Sequence, residues 1–303
     1  MTAFPPPGQM IDIGTHRLHL YALGEGSPVV VMDAGSGDNL LTWHPVQSEI
    51  AKFTRVVGYD RSGIGWSERG AKPRSGALVV EELHALLMAA KLPAPYVLVG
   101  HSMGGVHVRM FAHAYPDLVA GLVLVDSSHE QQAARFSQVF PGYTDMMSSY
   151  AHRVREWSGR THAEILDQLW GSDLLPLCPS PEVEALMRDR MNPEQMESIA
   201  DEYESMFGTF SQPDDAIHSL GDLPTIVLTS TRKFSGDGMS EEQSSEMFRI
   251  FQDCQAEISR RSTRGRQFHV AQAGHYIQVD QPQFVIDAVR EVVEMVRGAA
   301  SNG

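Results

Sequence analysis

The stretch Gly100-His101-Ser102-Met103-Gly104-Gly105 decides how this chain folds. It follows the apolar run Tyr96–Val99, which predicts a buried strand, and it leads into Val106–Tyr115, which predicts a helix. A chain that turns so sharply from strand to helix strains its central residue, and glycines on either side leave room for the turn. In this context the G-x-S-x-G pattern is typical of a nucleophile elbow, which exposes the Ser102 hydroxyl above the sheet.

Similar apolar runs alternate with helical patterns along the rest of the chain. Runs that are rich in Val and Leu and apolar on both faces predict buried parallel strands. The further runs of this kind are Val29–Met32, Val56–Asp60, Leu122–Val125, Thr225–Thr229 and Gln267–Ala271. Met10–Ile13 and Arg17–Leu23 predict an antiparallel pair, and helices are predicted at Glu82–Ala90, from Ser240 to about Ser259 and from Pro282 to about Arg297. This alternation predicts an α/β fold with helices on both faces of the sheet.

One segment interrupts the alternation. Residues 127–222 show no convincing strand, and their 17 acidic residues against 6 arginines give a net charge of −11. Because the segment falls between two core strands, we expect a helical cap over the carboxyl edge of the sheet, where ligands bind in open α/β folds. The sequence thus predicts a core of residues 1–126 and 223–303 with a cap of residues 127–222; a peripheral helical layer with a solvated acidic face is the alternative.

The net charge and the cysteine content of the chain exclude several classes of function. The 303 residues carry 24 Lys and Arg against 38 Asp and Glu, a net charge of −14. Such a chain is a poor candidate for binding nucleic acid or an anionic membrane, which both need a basic surface. Neither a signal peptide nor a long apolar span is evident. Cys178 and Cys254 lie far apart in no metal-like spacing, so we expect a reduced, cytoplasmic compartment, with one disulfide between them as the alternative. The motifs imply neither a metal nor a cofactor.

A serine is a poor nucleophile at neutral pH and needs a base. His275 follows the last predicted strand, on a loop that leaves the carboxyl edge of the sheet. Two carboxylates are candidates for orienting the histidine. Asp126 lies at the tip of a core strand and is favoured, whereas Asp237 lies farther out on a glycine-containing loop after the next strand.

Acyl transfer also needs N–H donors for the oxyanion that develops on the attacked carbonyl. The Met103 N–H, at the predicted start of a helix, is one candidate. The second is expected from the loop Ala34-Gly35-Ser36-Gly37, where Gly35 lets the backbone come close and the Ser36 N–H is favoured.

These motifs resemble the α/β-hydrolase fold superfamily, in particular capped members similar to serine esterases. The matching pieces stand in family order: Asp33–Gly37, Asp60–Ser67, the elbow at Ser102, Leu122–Asp126 and Gly274-His275. The resemblance implies an eight-stranded, mostly parallel sheet with the cap inserted after the sixth strand. Two features depart from the family: Ala34 replaces the usual histidine of the oxyanion loop, and no acid follows within Thr229–Lys233, which favours Asp126.

The expected function is therefore that of a serine hydrolase that cleaves small-molecule carboxylic esters through an acyl-enzyme. A serine nucleophile excludes relatives that attack with aspartate. Lactonase, carbon–carbon bond hydrolase, amidase, perhydrolase, lipase and a non-catalytic binding protein are alternatives, and the oligomeric state is open. Several aromatic and methionine side chains of the cap are expected either to line the pocket or to form the core of the cap itself: Tyr143, Met146, Met147, Tyr150, Trp157, Trp170, Met206 and Phe207.

Overall fold

An eight-stranded sheet forms the centre of the computed structural model, which describes residues 5–169, 180–210, 219–233 and 239–301. The strands lie in the order β1-β2-β4-β3-β5-β6-β7-β8. Their bounds are β1 Gln9–Asp12, β2 Arg17–Leu23, β3 Val29–Asp33, β4 Val56–Tyr59, β5 Tyr96–His101, β6 Val119–Val125, β7 Thr225–Ser230 and β8 Gly265–Val270. β2 pairs antiparallel with β1 and β4, and the other pairs are parallel. The predicted fold class is confirmed.

Helices cover both faces of this sheet. The described helices are α1 His44–Ile50, α2 Gly76–Ala89, α3 Met103–Ala114, α4 Gln132–Val139, α5 Tyr143–Trp157, α6 His162–Leu169, α7 Pro181–Arg190, α8 Pro193–Phe210, α9 Glu241–Arg260, α10 Ile277–Asp280 and α11 Pro282–Ser301. Apolar side chains of α2, α3 and α9 pack on one face, and those of α1 and α11 pack on the other. Burial on both faces explains why the central strands are continuous runs of Val and Leu.

The predicted strands are all present, but β8 is not the buried strand that its sequence predicts. It ends the sheet and pairs only with β7, so its side chains are mostly half-buried or exposed. The helix predicted from Ser240 is confirmed, because the Ser240 hydroxyl accepts from the Gln243 N–H and the Gln243 side chain accepts from the Ser240 N–H. α2 begins at Gly76, six residues before the predicted start at Glu82.

Helices α4 to α8 occupy the chain between β6 and β7, and no strand occurs there among the described residues. α5 and α8 share an apolar cluster that includes Val154 and Ala200, and α4 lies beside α9, where Arg135 pairs with Glu257 at 2.7 Å.

Cys254 of α9 is a buried free thiol, whereas Cys178 lies outside the described residues. Over the ranges described, no helix combines the length and the apolar character needed to cross a membrane.

Two glycines make the turn between β5 and α3 sterically feasible. A Cβ at Gly100 would lie 2.5 Å from the carbonyl oxygen of Gly104, and a Cβ at Gly104 would lie 2.3 Å from the carbonyl oxygen of Asp33. Real Cβ atoms do not approach backbone oxygens so closely, so β3, β5 and α3 meet at a distance that excludes any side chain.

We expect the substitution Gly104→Ala to lower the free energy of unfolding by about 1–3 kcal/mol, because backbone must move to admit the methyl group. Gly298→Ala is the matched control: Gly298 is also helical, and nothing lies within 4 Å of its Cβ position. It should leave stability unchanged or raise it by up to about 1 kcal/mol. Urea unfolding of the two variants measures both effects, and equal midpoints would contradict the close contact.

Candidate active site

Ser102 lies between β5 and α3 in a conformation that few side chains adopt, with φ 52° and ψ −119°. Its N–H donates to the Val125 carbonyl oxygen at 3.2 Å, and its carbonyl oxygen accepts from the Ser128 N–H at 2.8 Å. Both partners belong to the end of β6 and the residues just after it. The strained backbone is thus held by the neighbouring strand end, and strain of this kind clusters at functional sites.

Asp126 directly follows β6, again with a positive φ, 44°. Its side chain is only 2% exposed. Oδ1 accepts from the Ser230 N–H at 2.7 Å, and Oδ2 accepts from the Ser230 hydroxyl at 3.1 Å. Oδ2 also lies 2.7 Å from Nδ1 of His275. The structure therefore brings Asp126 and His275 together, while the alternative acid Asp237 lies outside the described residues.

His275 reaches the site from the loop after β8, and its side chain is 48% exposed. Burial by itself lowers the pKa of His275, but the hydrogen bond and the negative charge of Asp126 outweigh it and raise the pKa above the usual 6.5. The His275 carbonyl oxygen accepts from Nε2 of His101 at 2.9 Å. Because Nδ1 of His275 bonds to Asp126, the other ring nitrogen, Nε2, is available to act as a base.

A cavity of about 220 Å³ adjoins these groups. Ser102 and His275 both line it, as do Met103, Ser36 and Gly35. A Cβ at Gly35 would lie 2.8 Å from Oδ2 of Asp38 and 3.0 Å from Nδ1 of His101, so glycine lets these side chains come close to the loop. The five residues that the sequence proposes for nucleophile, base and oxyanion donors thus meet at one cavity.

Sequence reasoning assigned no role to Arg61, whose buried guanidinium binds Ala34 and Gly35 of the loop after β3, the predicted oxyanion loop. It donates to Oδ1 of Asp33 at 2.7 Å and to the carbonyl oxygens of Ala34 and Gly35 at 2.8 and 2.6 Å. The same group pairs with both carboxylate oxygens of Glu202 on α8, at 2.7 and 2.9 Å. A buried arginine must satisfy its donors, so the loop after β3 and the helix α8 are held in one arrangement.

Glu202 also accepts from the Gly37 N–H at 2.9 Å, which joins α8 to the oxyanion loop a second time. Burial raises the pKa of Glu202, but the charge and hydrogen bonds of Arg61 outweigh it and hold the pKa below the usual 4.5. Glu202 is therefore ionised at neutral pH. The only available signal in the sequence was Arg61 itself, a charged residue within a glycine-rich turn.

Asp38, a carboxylate that lines the cavity, was also missed by sequence reasoning. Its side chain is 12% exposed, and Oδ1 accepts from the Tyr276 hydroxyl at 3.3 Å. Burial raises the pKa of Asp38 to about 6. The group lies five residues after β3, on the same loop as Ser36, and nothing in that spacing indicates that it faces the nucleophile.

The aromatic and methionine side chains of 127–222 divide between the two expected places. Tyr143, Met147 and Met206 line the cavity of Ser102, and Met146 lines a neighbouring cavity of about 500 Å³ that shares His275. Tyr150 and Trp157 pack within the cluster between α5 and α8. Trp170 and the side chain of Phe207 lie outside what the structure describes.

A family model described as alpha/beta hydrolase fold matches residues 28–282. The chain belongs to this family. The solved structures that resemble it include a thermophilic esterase from Thermogutta terrifontis, with 24% identity, a TM-score of 0.61 and coverage of 93% of this chain and 94% of that one. The enol-lactonase from Burkholderia xenovorans LB400 has 19% identity, a TM-score of 0.62 and coverage of 93% and 98%. At these identities the likeness shows the fold alone.

A relative by sequence is the protein named "Probable transporter efuK" of Hormonema carpetanum. The two are 25% identical over 313 aligned residues, which cover 96% of this chain but 43% of the relative. The chain thus spans less than half the length of that protein.

We expect the substitution Glu202→Ala to lower the free energy of unfolding at pH 7 by about 3–5 kcal/mol, because it removes one partner of a buried ion pair. Glu204→Ala on the same helix is the control. Glu204 pairs with Arg155 at 2.8 Å but is 49% exposed, so its loss should cost less than about 1 kcal/mol. Comparable losses in both variants, measured by urea unfolding, would refute the bracing role of the Arg61 contacts.

Proposed function

We propose that this protein is a serine hydrolase that cleaves carboxylic esters of small molecules through an acyl-enzyme intermediate. The observation that carries the proposal is the 2.7 Å hydrogen bond between Asp126 and His275, on a histidine that shares a cavity with the strained Ser102. A carboxylate that orients a histidine beside an exposed serine is the arrangement that makes a serine nucleophilic at neutral pH.

In the proposed reaction, Ser102 Oγ attacks the ester carbonyl carbon while Nε2 of His275 takes the hydroxyl proton. The backbone N–H groups of Met103 and Ser36 stabilise the oxyanion, and Gly35 lets the loop approach it. The carbon–oxygen bond to the alcohol then breaks, and His275 returns the proton to the leaving oxygen. A water molecule, deprotonated by His275, attacks the acyl-enzyme and releases the acid and free Ser102.

Residues 127–222 serve as the cap in this proposal, with residues 1–126 and 223–303 as the core. Support comes from Tyr143 and Met147 of α5 and from Tyr203 and Met206 of α8, which line the same cavity as Ser102. The cap would then determine which acyl or alcohol groups fit, and the Arg61–Glu202 ion pair would hold it in register with the oxyanion loop.

The proposal predicts hydrolysis of p-nitrophenyl acetate, butyrate and octanoate by the wild type, and a loss of at least about 10³-fold in the Ser102→Ala variant, since without the nucleophile no acyl-enzyme forms. Ser137→Ala, a serine on α4 outside the cavity, is the control and should keep full activity. Release of p-nitrophenolate measures both rates. Activity that survives in Ser102→Ala would remove Ser102 as the nucleophile.

The proposal also predicts that Asp126→Asn lowers turnover by about 10⁴-fold, the typical cost of losing the orienting acid. Asp237→Asn should stay within a few-fold of the wild type. Because Asp126 raises the pKa of His275, wild-type kcat/KM should fall with acid around a midpoint above 6.5, and residual activity of Asp126→Asn should show a lower midpoint. A large loss in Asp237→Asn with Asp126→Asn near wild type would reverse the assignment.

A further inference from the structure

The cavity beside Ser102 combines one carboxylate with several aromatic rings. Asp38 is the only acid that lines it, and no Lys or Arg does so among the described residues. The rings are those of Tyr143, Tyr203, Tyr276 and Phe251. A carboxylate among aromatic rings, with no basic side chain, is the chemistry that recognises an ammonium cation.

Asp38 has few partners for a carboxylate, which can accept about four hydrogen bonds. Over the described part of the chain, the Tyr276 hydroxyl is its one hydrogen-bond donor, at 3.3 Å from Oδ1. The nearest basic atom to Oδ2 is Nδ1 of His101, at 3.8 Å, which is too far for a hydrogen bond. Burial holds the pKa of His101 well below 6.5, so this histidine brings no positive charge at neutral pH.

His101 supplies a second unused polar atom at the same wall. The residue is 1% exposed, and its Nδ1 has no hydrogen-bond partner within the described ranges, although Nε2 is bound to the His275 carbonyl oxygen. Unsatisfied buried polar atoms are few in native proteins. Because Nε2 donates, Nδ1 carries a lone pair, so Oδ2 of Asp38 and Nδ1 of His101 both place electron density at this wall, which favours a cation over an anion.

The charges around the cavity also leave a surplus of negative charge. Arg61 is shared between Asp33 and Glu202, so this cation already faces two carboxylates, and Asp38 adds a third. With a pKa of about 6, Asp38 is ionised at neutral pH and above. A cationic group that enters the cavity would neutralise this surplus, whereas an anionic group would add to it.

We propose that the substrate is an ester that carries an alkylammonium group, bound by the Asp38 carboxylate and the surrounding tyrosine rings beside Ser102. This inference rests on the proposed ester hydrolysis. A neutral hydroxyl group can also bond a carboxylate, but aromatic rings attract it less than they attract a cation, so the aromatic lining favours the cation.

Two pairs of esters test the proposal, each a cation matched with its uncharged carbon isostere. Acetylcholine and 3,3-dimethylbutyl acetate place the group on the alcohol side of the ester. The methyl esters of 4-(trimethylammonio)butyrate and 5,5-dimethylhexanoate place it on the acyl side. For at least one pair, we expect wild-type kcat/KM to favour the cation by at least about tenfold, in line with the attraction of a cation to a carboxylate and to aromatic rings. A pH-stat follows acid release for all four esters.

The Asp38→Asn variant keeps the shape of the side chain and an oxygen for the Tyr276 hydroxyl but removes the charge. We expect it to abolish the preference for the cation, whatever its effect on the neutral ester. The ratio within a pair cancels any change in His275, which lies near Asp38. Asp253→Asn, a carboxylate that is 56% exposed on α9, is the control for net charge and should leave the ratio unchanged.

Tetramethylammonium separates failure of this inference from failure of the proposed function. Calorimetric titration should show binding to the wild type and to Ser102→Ala, and a loss of at least about tenfold in affinity for Asp38→Asn. Neutral esters hydrolysed through Ser102, with no cation preference and no Asp38-dependent binding, would overturn the ammonium inference alone. If none of the four esters is hydrolysed, the ester proposal fails. If tetramethylammonium also does not bind, the cation site fails as well.

Discussion

The buried guanidinium of Arg61 holds together the parts of this protein that form the site. An arginine out of contact with water is costly unless its donors are satisfied, and here they bond to a core carboxylate, two loop carbonyl oxygens and Glu202 of α8. The loop that carries Gly35 and Ser36 therefore cannot move without breaking several charged hydrogen bonds. Helix α8 is bound by the same group, and Asp201 of this helix also pairs with Arg69 and Lys72, so several charged contacts hold α8 beside the sheet.

The rest of the site follows from where the parallel strands end. β3, β5, β6 and β8 lead into the loops of Ser36, Ser102, Asp126 and His275, respectively. Parallel strands bring their carboxyl ends to one edge of the sheet, so residues far apart in the chain meet there. The elbow is crowded, because the backbones of β3 and α3 meet at Gly104 too closely for a side chain. The close contact at Gly104 and the charged hydrogen bonds of Arg61 together restrict the backbone around Ser102.

Much of the fold could be predicted because its signals are local. The apolar runs identified all eight strands, and the Ser240 cap identified the start of α9. The prediction that β8 is a buried strand is wrong, because composition does not reveal which strand ends the sheet. The contact of Asp126 with His275 was predicted from strand ends, not from any local pattern, and it joins residues 149 positions apart.

Local sequence patterns suffice to predict the alternation of strands and helices, the strand–turn–helix context of Ser102 and the acidic character of residues 127–222, because each depends on neighbouring residues. The partners of the charged groups emerge only in the folded chain. Arg61 and Glu202 lie 141 positions apart and Tyr276 and Asp38 lie 238 apart, so no spacing in the chain indicates that they meet. Contacts of this kind depend on how loops from different strands converge, and they give the cavity its charge.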